Sequence, residues 1–257
     1  MKDPEDKDYV QSLERGLSVI LAFAGNRPLL TTARLAEVTG LSRPTVRRLV
    51  LTLERLGYVR AEGRAYALTP HVLALGHAFT SSLNLTEIAE APMVAATETI
   101  GHTCSLIALD GEDAVFLFRV PPRRGMPHTL LPGTRMPAYA TAAGRVLLAG
   151  QSSLPDGPFP ALTPATVTDP ARLAAVVAEV AERGWAVVDQ EYEEGVRSFS
   201  APIRDSAGWV VAALGMSVPA SVSLDRIRCD YVPALVTAAA RISDALGAGY
   251  HPTTRAV

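Results

Sequence analysis

Cysteine, histidine and long apolar runs are scarce in this sequence of 257 residues. Its two cysteines, Cys104 and Cys229, have a spacing that fits neither a disulfide framework nor a zinc site. No run approaches the roughly 20 apolar residues that cross a membrane. The charged first ten residues lack the apolar core of a secretion signal. We therefore expect a cytoplasmic protein with no metal centre and no membrane association.

The sequence also has few groups of residues that could catalyse a reaction. The five histidines form no i, i+4 pair, which argues against a metal site. Asp189, Glu191 and Glu193 alternate along a predicted strand end and could perform acid–base chemistry, but a solvated charged edge is the simpler interpretation. Cys104 lies two residues from His102 without a third orienting group, so we predict a buried thiol rather than a nucleophile. The pattern predicts neither an enzyme nor a cofactor.

Apolar sequence is abundant, and charge is unevenly distributed. Hydrophobic residues make up 48% and charged residues 19% of the chain, which is enough for packed cores. The length favours two domains. Between Val10 and Pro70 there are nine arginines and four glutamates, whereas the whole chain has a net charge of −2. A basic N-terminal module on an acidic remainder indicates a polyanionic partner for that module.

Three helical segments are predicted in the basic part of the chain. The first has Ser12 as its N-cap and carries apolar residues at helical spacing from Leu13 to Ala24. The second begins at an N-cap, Thr32, and ends before Gly40, where a left-handed turn is expected. Ser42 is predicted to cap the third helix. Two short strands, 58–60 and 65–68, follow this helix and predict a small hairpin, or wing.

The third helix has an apolar stripe on one side and basic or hydroxyl side chains on the others. Its buried stripe is predicted to run from Val46 to Leu56. Exposed arginines are often only solvated, but a basic helix that follows two shorter helices and precedes a wing favours insertion into a DNA major groove. The predicted DNA-contacting residues are Arg43, Thr45, Arg47, Arg48 and Thr52 on this helix and Arg64 at the wing tip.

The remainder of the chain mixes helices and strands. From His71 to Ile100 the pattern is helical, with interruptions expected at Ser81–Ser82 and at Pro92. Beyond Gly101, β-rich runs alternate with helical segments, which predicts a sheet flanked by helices. The predicted fold class is multidomain α+β, a winged helix-turn-helix followed by an α/β domain. An alternative is an enzyme in this α/β domain with the N-terminal part as an interaction module.

Five segments resemble the IclR family of bacterial transcription regulators. The N-terminal ones are QSLERGLSVILAF, LAEVTGLSRPTVRRLVLTLERLGYV and YALTPHVLALG. The C-terminal ones are LPGTRMPAYATAAGRVLLA and EYEEGVRSFSAPIRDSAGWVVAALGMSVPA. The resemblance covers nearly the whole chain. The stretch PAYATAAGRVLLA is similar to the branch of the family that regulates the β-ketoadipate pathway and related aromatic-acid catabolism.

The resemblance implies a winged helix-turn-helix domain over 9–70, a helical linker over 71–90 and a GAF-like effector-binding domain over 91–257. It also implies a homodimer or homotetramer that binds palindromic double-stranded operator DNA under the control of a small-molecule effector. The effector cavity would lie between the sheet and the loop that enters the helix of the sequence AAGR. Carried over by position, the implied effector-binding residues are Met136, Ala142, Val196, Ser198, Gly215 and Ser217.

Arginines near these positions suggest the chemistry of the effector. A guanidinium group matches a carboxylate bidentately, and Arg135 directly precedes Met136, so we include Arg135 among the expected effector-binding residues. Together with the similarity to the aromatic-acid branch, this predicts a small carboxylate effector such as protocatechuate, 4-hydroxybenzoate or β-ketoadipate. The other arginines close in sequence are Arg119, Arg123, Arg124 and Arg197.

Overall fold

A computed structural model describes residues 8–24, 28–76, 85–123 and 131–249 of the chain. It divides into two compact units, Met1–Ser82 and Leu83–Val257. The domain limits expected from the sequence, 9–70, 71–90 and 91–257, stay a prediction. Among the residues that the structure describes, none of the helices combines the length and the apolarity needed to span a bilayer.

The first unit is the expected winged helix-turn-helix. Its three strands form an antiparallel sheet in the order β1-β3-β2, and the β2–β3 hairpin is the predicted wing. The elements are α1 (Gln11–Leu21), β1 (Leu30–Thr31), α2 (Thr32–Thr39), α3 (Arg43–Arg55), β2 (Val59–Glu62) and β3 (Ala65–Leu68).

Side-chain caps set the helix-turn-helix geometry of this unit. The Ser42 hydroxyl accepts a hydrogen bond from the Thr45 N–H at 3.3 Å, as predicted for the start of α3. Gly40 has φ 69°, the left-handed conformation that ends α2. Two expected N-caps are corrected. Thr31 rather than Thr32 caps α2, and Val10, without a side-chain cap bond, precedes α1 in place of Ser12.

The core of the first unit forms where the three helices meet. The fully buried members include Val19, Leu35, Val46 and Val50. On α1, Val19 faces this core, so the leucine stripe beginning at Leu13 stays outside it. The buried stripe predicted for α3 ends before Leu56. This residue follows the last helical residue, and its side chain is exposed.

The second unit begins with a helix that runs through a proline. Helix α4 spans Leu85–Ile100, and Pro92 lies inside it without ending it, contrary to the expected interruption. Proline removes one helical hydrogen bond, but Ala89 and Met93 are fully buried and anchor the helix by packing. The other expected interruption, Ser81–Ser82, lies outside the described residues.

A six-stranded antiparallel sheet forms the centre of the second unit, in the order β6-β5-β4-β9-β8-β7. One core layer joins the sheet to α4 and α7 through residues such as Met93, Leu214 and Ile242. A second joins it to α5 and α6 through residues such as Ile107 and Val180. The strands are β4 (Cys104–Asp110), β5 (Asp113–Val120), β6 (Arg135–Pro137), β7 (Ala186–Asp189), β8 (Val196–Arg204) and β9 (Val210–Pro219). The helices are α5 (Ala142–Leu148), α6 (Pro170–Arg183) and α7, which comprises Leu224–Arg226, a π-helical turn Ile227–Tyr231 and Val232–Gly249.

An irregularity in the β4–β5 pairing changes which side chains share a face. Ser105 pairs with Arg119, Leu106 with Phe118, and Ile107 with Phe116, so Leu117 is an extra residue in β5. A bulge of this kind interrupts the strict alternation of a strand. As a result, Arg119 and Phe116 face the same side of the sheet, the side that carries α5.

Candidate functional site

The outer surface of α3 carries the predicted DNA-contacting side chains. Arg43, Arg47, Arg48 and Thr52 are exposed, and Thr45 is half-buried. Because Val46 and Val50 bury the opposite face, these groups project away from the core of the first unit. Arg64 is exposed in the turn of the wing.

The hydroxyl groups on α3 differ in their availability. The Thr52 hydroxyl donates to the Arg48 carbonyl oxygen at 2.9 Å. The Thr45 hydroxyl lies 2.8 Å from that of Ser42. Both threonines therefore make bonds within their own turn, and the guanidinium groups of α3 are the long donors able to reach a nucleic acid. Elsewhere in the described part of this unit, Arg34 is paired with Glu37 and Arg60 with Glu62.

A cavity lies in the second unit, between the sheet and the start of α5. It offers about 60 Å³ to the centre of a water-sized sphere, several times the roughly 10–15 Å³ that one water molecule needs. The apolar side chains Ile107, Phe116 and Met136 form much of its wall, together with hydroxyl groups. The hydroxyl-bearing lining residues are Thr103, Ser105, Thr141, Tyr192, Ser198 and Ser217.

All six effector-binding residues implied by the resemblance line this cavity, namely Met136, Ala142, Val196, Ser198, Gly215 and Ser217. The start of α5 and strand β8 meet here, since the Ala142 N–H donates to the Ser198 hydroxyl at 3.4 Å. The wall has little room for a side chain at Gly215, because a Cβ atom there would lie 3.1 Å from the Ile107 Cδ1.

Arg135 is placed differently from the expectation. It lies on the edge strand β6 and is not part of the cavity wall. Its Nε donates to Asp113 at 2.9 Å, and its Nη1 donates to Asp110 at 2.5 Å. The hydrogen bond to Asp110 is the largest cause of a raised pKa of this guanidinium, and the hydrogen bond to Asp113 is the next largest. Neighbouring residues of a strand point to opposite faces, so Met136 reaches the cavity and Arg135 does not.

Of the arginines that the structure describes, Arg119 lines the cavity. Its Nε donates to the Ser105 hydroxyl at 3.1 Å, and its guanidinium carbon lies 5.6 Å from the centre of the Phe116 ring. Burial lowers its pKa below the ordinary value of arginine. From the sequence, Arg119 could be named only as an arginine close to the expected site. Its side chain faces the cavity because of the bulge at Leu117, and no pattern in the sequence indicates this bulge.

Within the acidic cluster 189–193, Glu191 departs from the solvated edge that the sequence suggested, whereas Glu193 is exposed. Glu191 is buried and forms a bidentate ion pair with the buried Arg145, with oxygen–nitrogen distances of 2.7 and 2.6 Å. Asp189 pairs with Arg197 at 2.7 Å, and this hydrogen bond holds the pKa of Asp189 below its usual value. Glu193 lines the cavity. Within the described ranges, no three of the histidine, cysteine and acidic side chains are grouped as metal ligands.

Comparison with known proteins agrees with the geometry of both units. The family model "IclR helix-turn-helix domain" matches residues 12–63, and the model "Bacterial transcriptional regulator IclR C-terminal" matches residues 77–244. The Pca regulon regulatory protein of Pseudomonas putida is 37% identical over 241 residues, which cover 91% of this chain and 83% of that protein.

Two further relatives extend the comparison. The p-hydroxybenzoate hydroxylase transcriptional activator of Acinetobacter baylyi is 29% identical over 219 residues, with 81% of each chain covered. The crystal structure of a Rhodococcus sp. RHA1 protein, described as a transcriptional regulator, is 42% identical with a TM-score of 0.80 and covers 93% of this chain and 98% of that one. The chain therefore belongs to the IclR family of bacterial transcriptional regulators.

Proposed function

We propose that this transcription regulator is controlled by a small organic acid from aromatic catabolism. The acid binds in the cavity of the second unit and alters the affinity of the first unit for double-stranded operator DNA. The observation that carries the proposal is the guanidinium of Arg119 in the wall of an otherwise largely apolar cavity. A site of this composition suits a small ligand with an apolar body and one anionic group.

The chemistry of Arg119 supports a carboxylate as that anionic group. Its Nε donates to the Ser105 hydroxyl, and a guanidinium is a planar fork of N–H donors whose shape matches that of a carboxylate. Partial burial weakens competition from water, which strengthens a charge-assisted bond to a carboxylate. The Phe116 ring beside the guanidinium offers an apolar surface against which an aromatic ring can stack.

The names of the relatives support an aromatic acid. One is called a Pca regulon regulator and another an activator of p-hydroxybenzoate hydroxylase. Protocatechuate, 4-hydroxybenzoate and β-ketoadipate are therefore the effectors to test first. The family and these relatives are transcription regulators, so the alternative of an enzyme with an N-terminal interaction module is not supported.

The DNA-binding residues proposed for the first unit are Arg43, Thr45, Arg47, Arg48, Thr52 and Arg64. Recognition of an operator by helix-turn-helix proteins uses two half-sites, so the proposed assembly is a dimer or tetramer. The proposed location is the cytoplasm, where bacterial operator DNA lies. An effector can shift DNA affinity only if it prefers one of two conformational states of the protein. The proposed acid would therefore bind the DNA-competent and DNA-incompetent states unequally.

The test measures binding to labelled intergenic DNA from upstream of the protein's own gene, with excess non-specific competitor. Fluorescence anisotropy is recorded with and without each acid for the wild type, Arg119→Gln and Arg123→Gln. Arg123 is a matched control because it is largely exposed and paired with Glu98 instead of lining the cavity. We expect the acids to change the apparent affinity of the wild type and of Arg123→Gln but not of Arg119→Gln. A response to neutral phenols or sugars alone would contradict the proposed ligand class.

A further inference from the structure

The cavity of the second unit has charged groups of opposite sign in its wall. Of the lining residues that the structure describes, Arg119 and Glu193 carry charged side chains. The effector proposed above has a single assigned partner, Arg119, and leaves Glu193 without a role. Glu193 and its neighbour Tyr192 are exposed, which places them where the cavity opens to solvent.

The two charges lie on different sides of the cavity. Arg119 is on β5, whereas Glu193 is in the turn that enters β8. The strands β4 and β9 lie between β5 and β8, so three strand spacings, roughly 14 Å, separate the two backbones laterally. A ligand in the cavity therefore lies between the strand that carries Arg119 and the turn that carries Glu193. A carboxylate held at Arg119 would point the opposite end of a small molecule toward the β7–β8 turn.

The turn that presents Glu193 is held firmly on both sides. Gln190 has φ 59°, a left-handed conformation that is strained for a side-chain-bearing residue. The Thr163 hydroxyl donates to the Gln190 carbonyl oxygen at 2.7 Å, and the Gly195 N–H donates to the Gln190 Oε1 at 3.0 Å. The Thr166 hydroxyl donates to the carbonyl oxygen of Glu191 at 2.6 Å.

The buried ion pair adds to this anchoring. Glu191, two residues before Glu193, accepts two hydrogen bonds from Arg145 of α5 and one from the Val167 N–H at 3.0 Å. Helix α5 also supplies Ala142 and Ala143 to the cavity wall. Strained backbone conformations are maintained where the surrounding structure enforces them, and they concentrate at functional sites. The turn is therefore built to keep Glu193 at a fixed place on the cavity rim.

We propose that Glu193 selects the effector, and that the cavity takes a monocarboxylate with a hydrogen-bond donor at the end opposite its carboxylate, while it rejects dicarboxylates. This inference rests on the proposed function. An ionised carboxylate is a hydrogen-bond acceptor without donors, so Glu193 attracts a phenolic hydroxyl and repels a second carboxylate. Among the three acids named above, 4-hydroxybenzoate and protocatechuate fit this rule and β-ketoadipate does not.

The experiment compares three acids of one shape by isothermal titration of the full-length protein. Benzoate has no second polar group, 4-hydroxybenzoate adds a donor, and terephthalate adds a carboxylate. The variants are Glu193→Gln and, as a matched control, Glu194→Gln, which removes the same charge from the next residue. Glu194 is exposed and does not line the cavity.

For the wild type and for Glu194→Gln we expect 4-hydroxybenzoate to bind about tenfold more tightly than benzoate, as one hydrogen bond to a charged group allows, and terephthalate to bind more weakly than either. In Glu193→Gln the advantage of 4-hydroxybenzoate over benzoate should shrink, and terephthalate should gain at least about tenfold.

Three results would overturn the inference, and they differ in what else they affect. One such result is that terephthalate binds the wild type as tightly as 4-hydroxybenzoate does. Another is that Glu193→Gln changes the affinities for the three acids no more than Glu194→Gln does. In either case Glu193 does not select the effector, but the proposal of a carboxylate-binding cavity is unaffected. If none of the three acids binds the wild type or Glu193→Gln, both the selection by Glu193 and the proposed ligand class fail.

Discussion

Cys104 and Cys229 have the same side chain in opposite environments. Cys104 is fully buried in β4, and burial raises the pKa of its thiol to about 12, whereas Cys229 is exposed. Only the thiolate is nucleophilic. We expect Ellman's reagent at pH 8 to modify one thiol of the native protein and both thiols in denaturant. Rapid reaction of both in the native state would contradict the burial of Cys104.

The sign of the pH effect at Cys104 follows from its raised pKa. Between about pH 9 and pH 12 the thiol is ionised in the unfolded chain and remains protonated in the folded one. The unfolded state therefore binds fewer protons in this window, and the free energy of unfolding falls as the pH rises. This reinforces the interpretation of Cys104 as a core residue rather than a nucleophile.

Arg47 and Arg48 are the side chains of α3 with which to test DNA recognition. Each is exposed on the outer face of α3. We expect Arg47→Ala or Arg48→Ala to weaken operator binding by about 1–3 kcal/mol where the arginine contacts a base. Thermal unfolding should be unchanged, because neither side chain contributes to the core. Arg172→Ala in α6, an exposed arginine of the second unit, is the control, and full specific affinity in both α3 variants would refute the assignment.

Some residues of the cavity wall could be predicted from the sequence and others could not. Ser198, Ser217 and Met136 could be placed at the cavity from the resemblance, because each position carries over without a change of register. Arg119 could not, since strict alternation from Phe116 would send its side chain to the opposite face. The extra residue Leu117 reverses that outcome, and a bulge depends on pairing with β4 rather than on local propensity.

Among the elements, α5 depends on close packing against the turn that precedes it. A Cβ atom at Gly144 would lie 2.1 Å from the Ala138 carbonyl oxygen, an impossible distance. We expect Gly144→Ala to lower the free energy of unfolding by about 2–3 kcal/mol in urea titrations, because backbone must move to admit the methyl group. Gly247→Ala is the control, since its nearest neighbour is 3.9 Å away. Equal stability of the two variants would contradict the close approach.

The Arg145–Glu191 pair joins α5 to the β7–β8 turn and to the loop before α6. Both side chains are buried, and removal of one partner leaves an uncompensated charge. We expect Glu191→Gln to lower the free energy of unfolding by about 3 kcal/mol. Asp189→Asn, which breaks the more exposed pair with Arg197, should cost about 1 kcal/mol or less. The measurement is denaturant unfolding of both variants. A larger loss of stability in Asp189→Asn than in Glu191→Gln would show that the buried pair is not the more important of the two.

The elements of this chain were predictable to different degrees. Caps and left-handed glycines are local signals, so Ser42 and Gly40 marked their helix ends correctly. The three-residue strand β6 gave no signal, because it forms only by pairing with β5. The burial of Glu191 could not be predicted from the sequence either. It depends on Arg145, which is 46 residues away in the chain.

At the scale of the whole molecule, DNA binding and effector binding are assigned to separate units. The first unit has exposed arginines on α3 and the wing, and the second has the cavity with Arg119 and Glu193. Regulation requires a coupling free energy between these sites, and thermodynamic linkage makes the coupling reciprocal. Operator DNA should therefore change the affinity for the acid by the same factor by which the acid changes the affinity for DNA.

A dimer or tetramer is predicted, because helix-turn-helix proteins recognise an operator through two half-sites. An apolar ridge supports self-association: Leu13, Leu17 and Leu21 lie at i, i+4 and i+8 on α1, and their exposed fractions are 63%, 46% and 72%. We expect light scattering at micromolar concentration to give two or four times the chain mass of 27.2 kDa.

The double variant Leu17→Glu with Leu21→Glu should shift the protein toward monomer and weaken operator binding, because charges on the ridge cannot be buried in an interface without a partner. Leu162→Glu, at an exposed leucine of the second unit, is the control and should leave both the mass and the operator affinity unchanged. A wild-type monomer that still binds the operator specifically would show that one copy of the basic module suffices, and would remove the argument from two-fold symmetry.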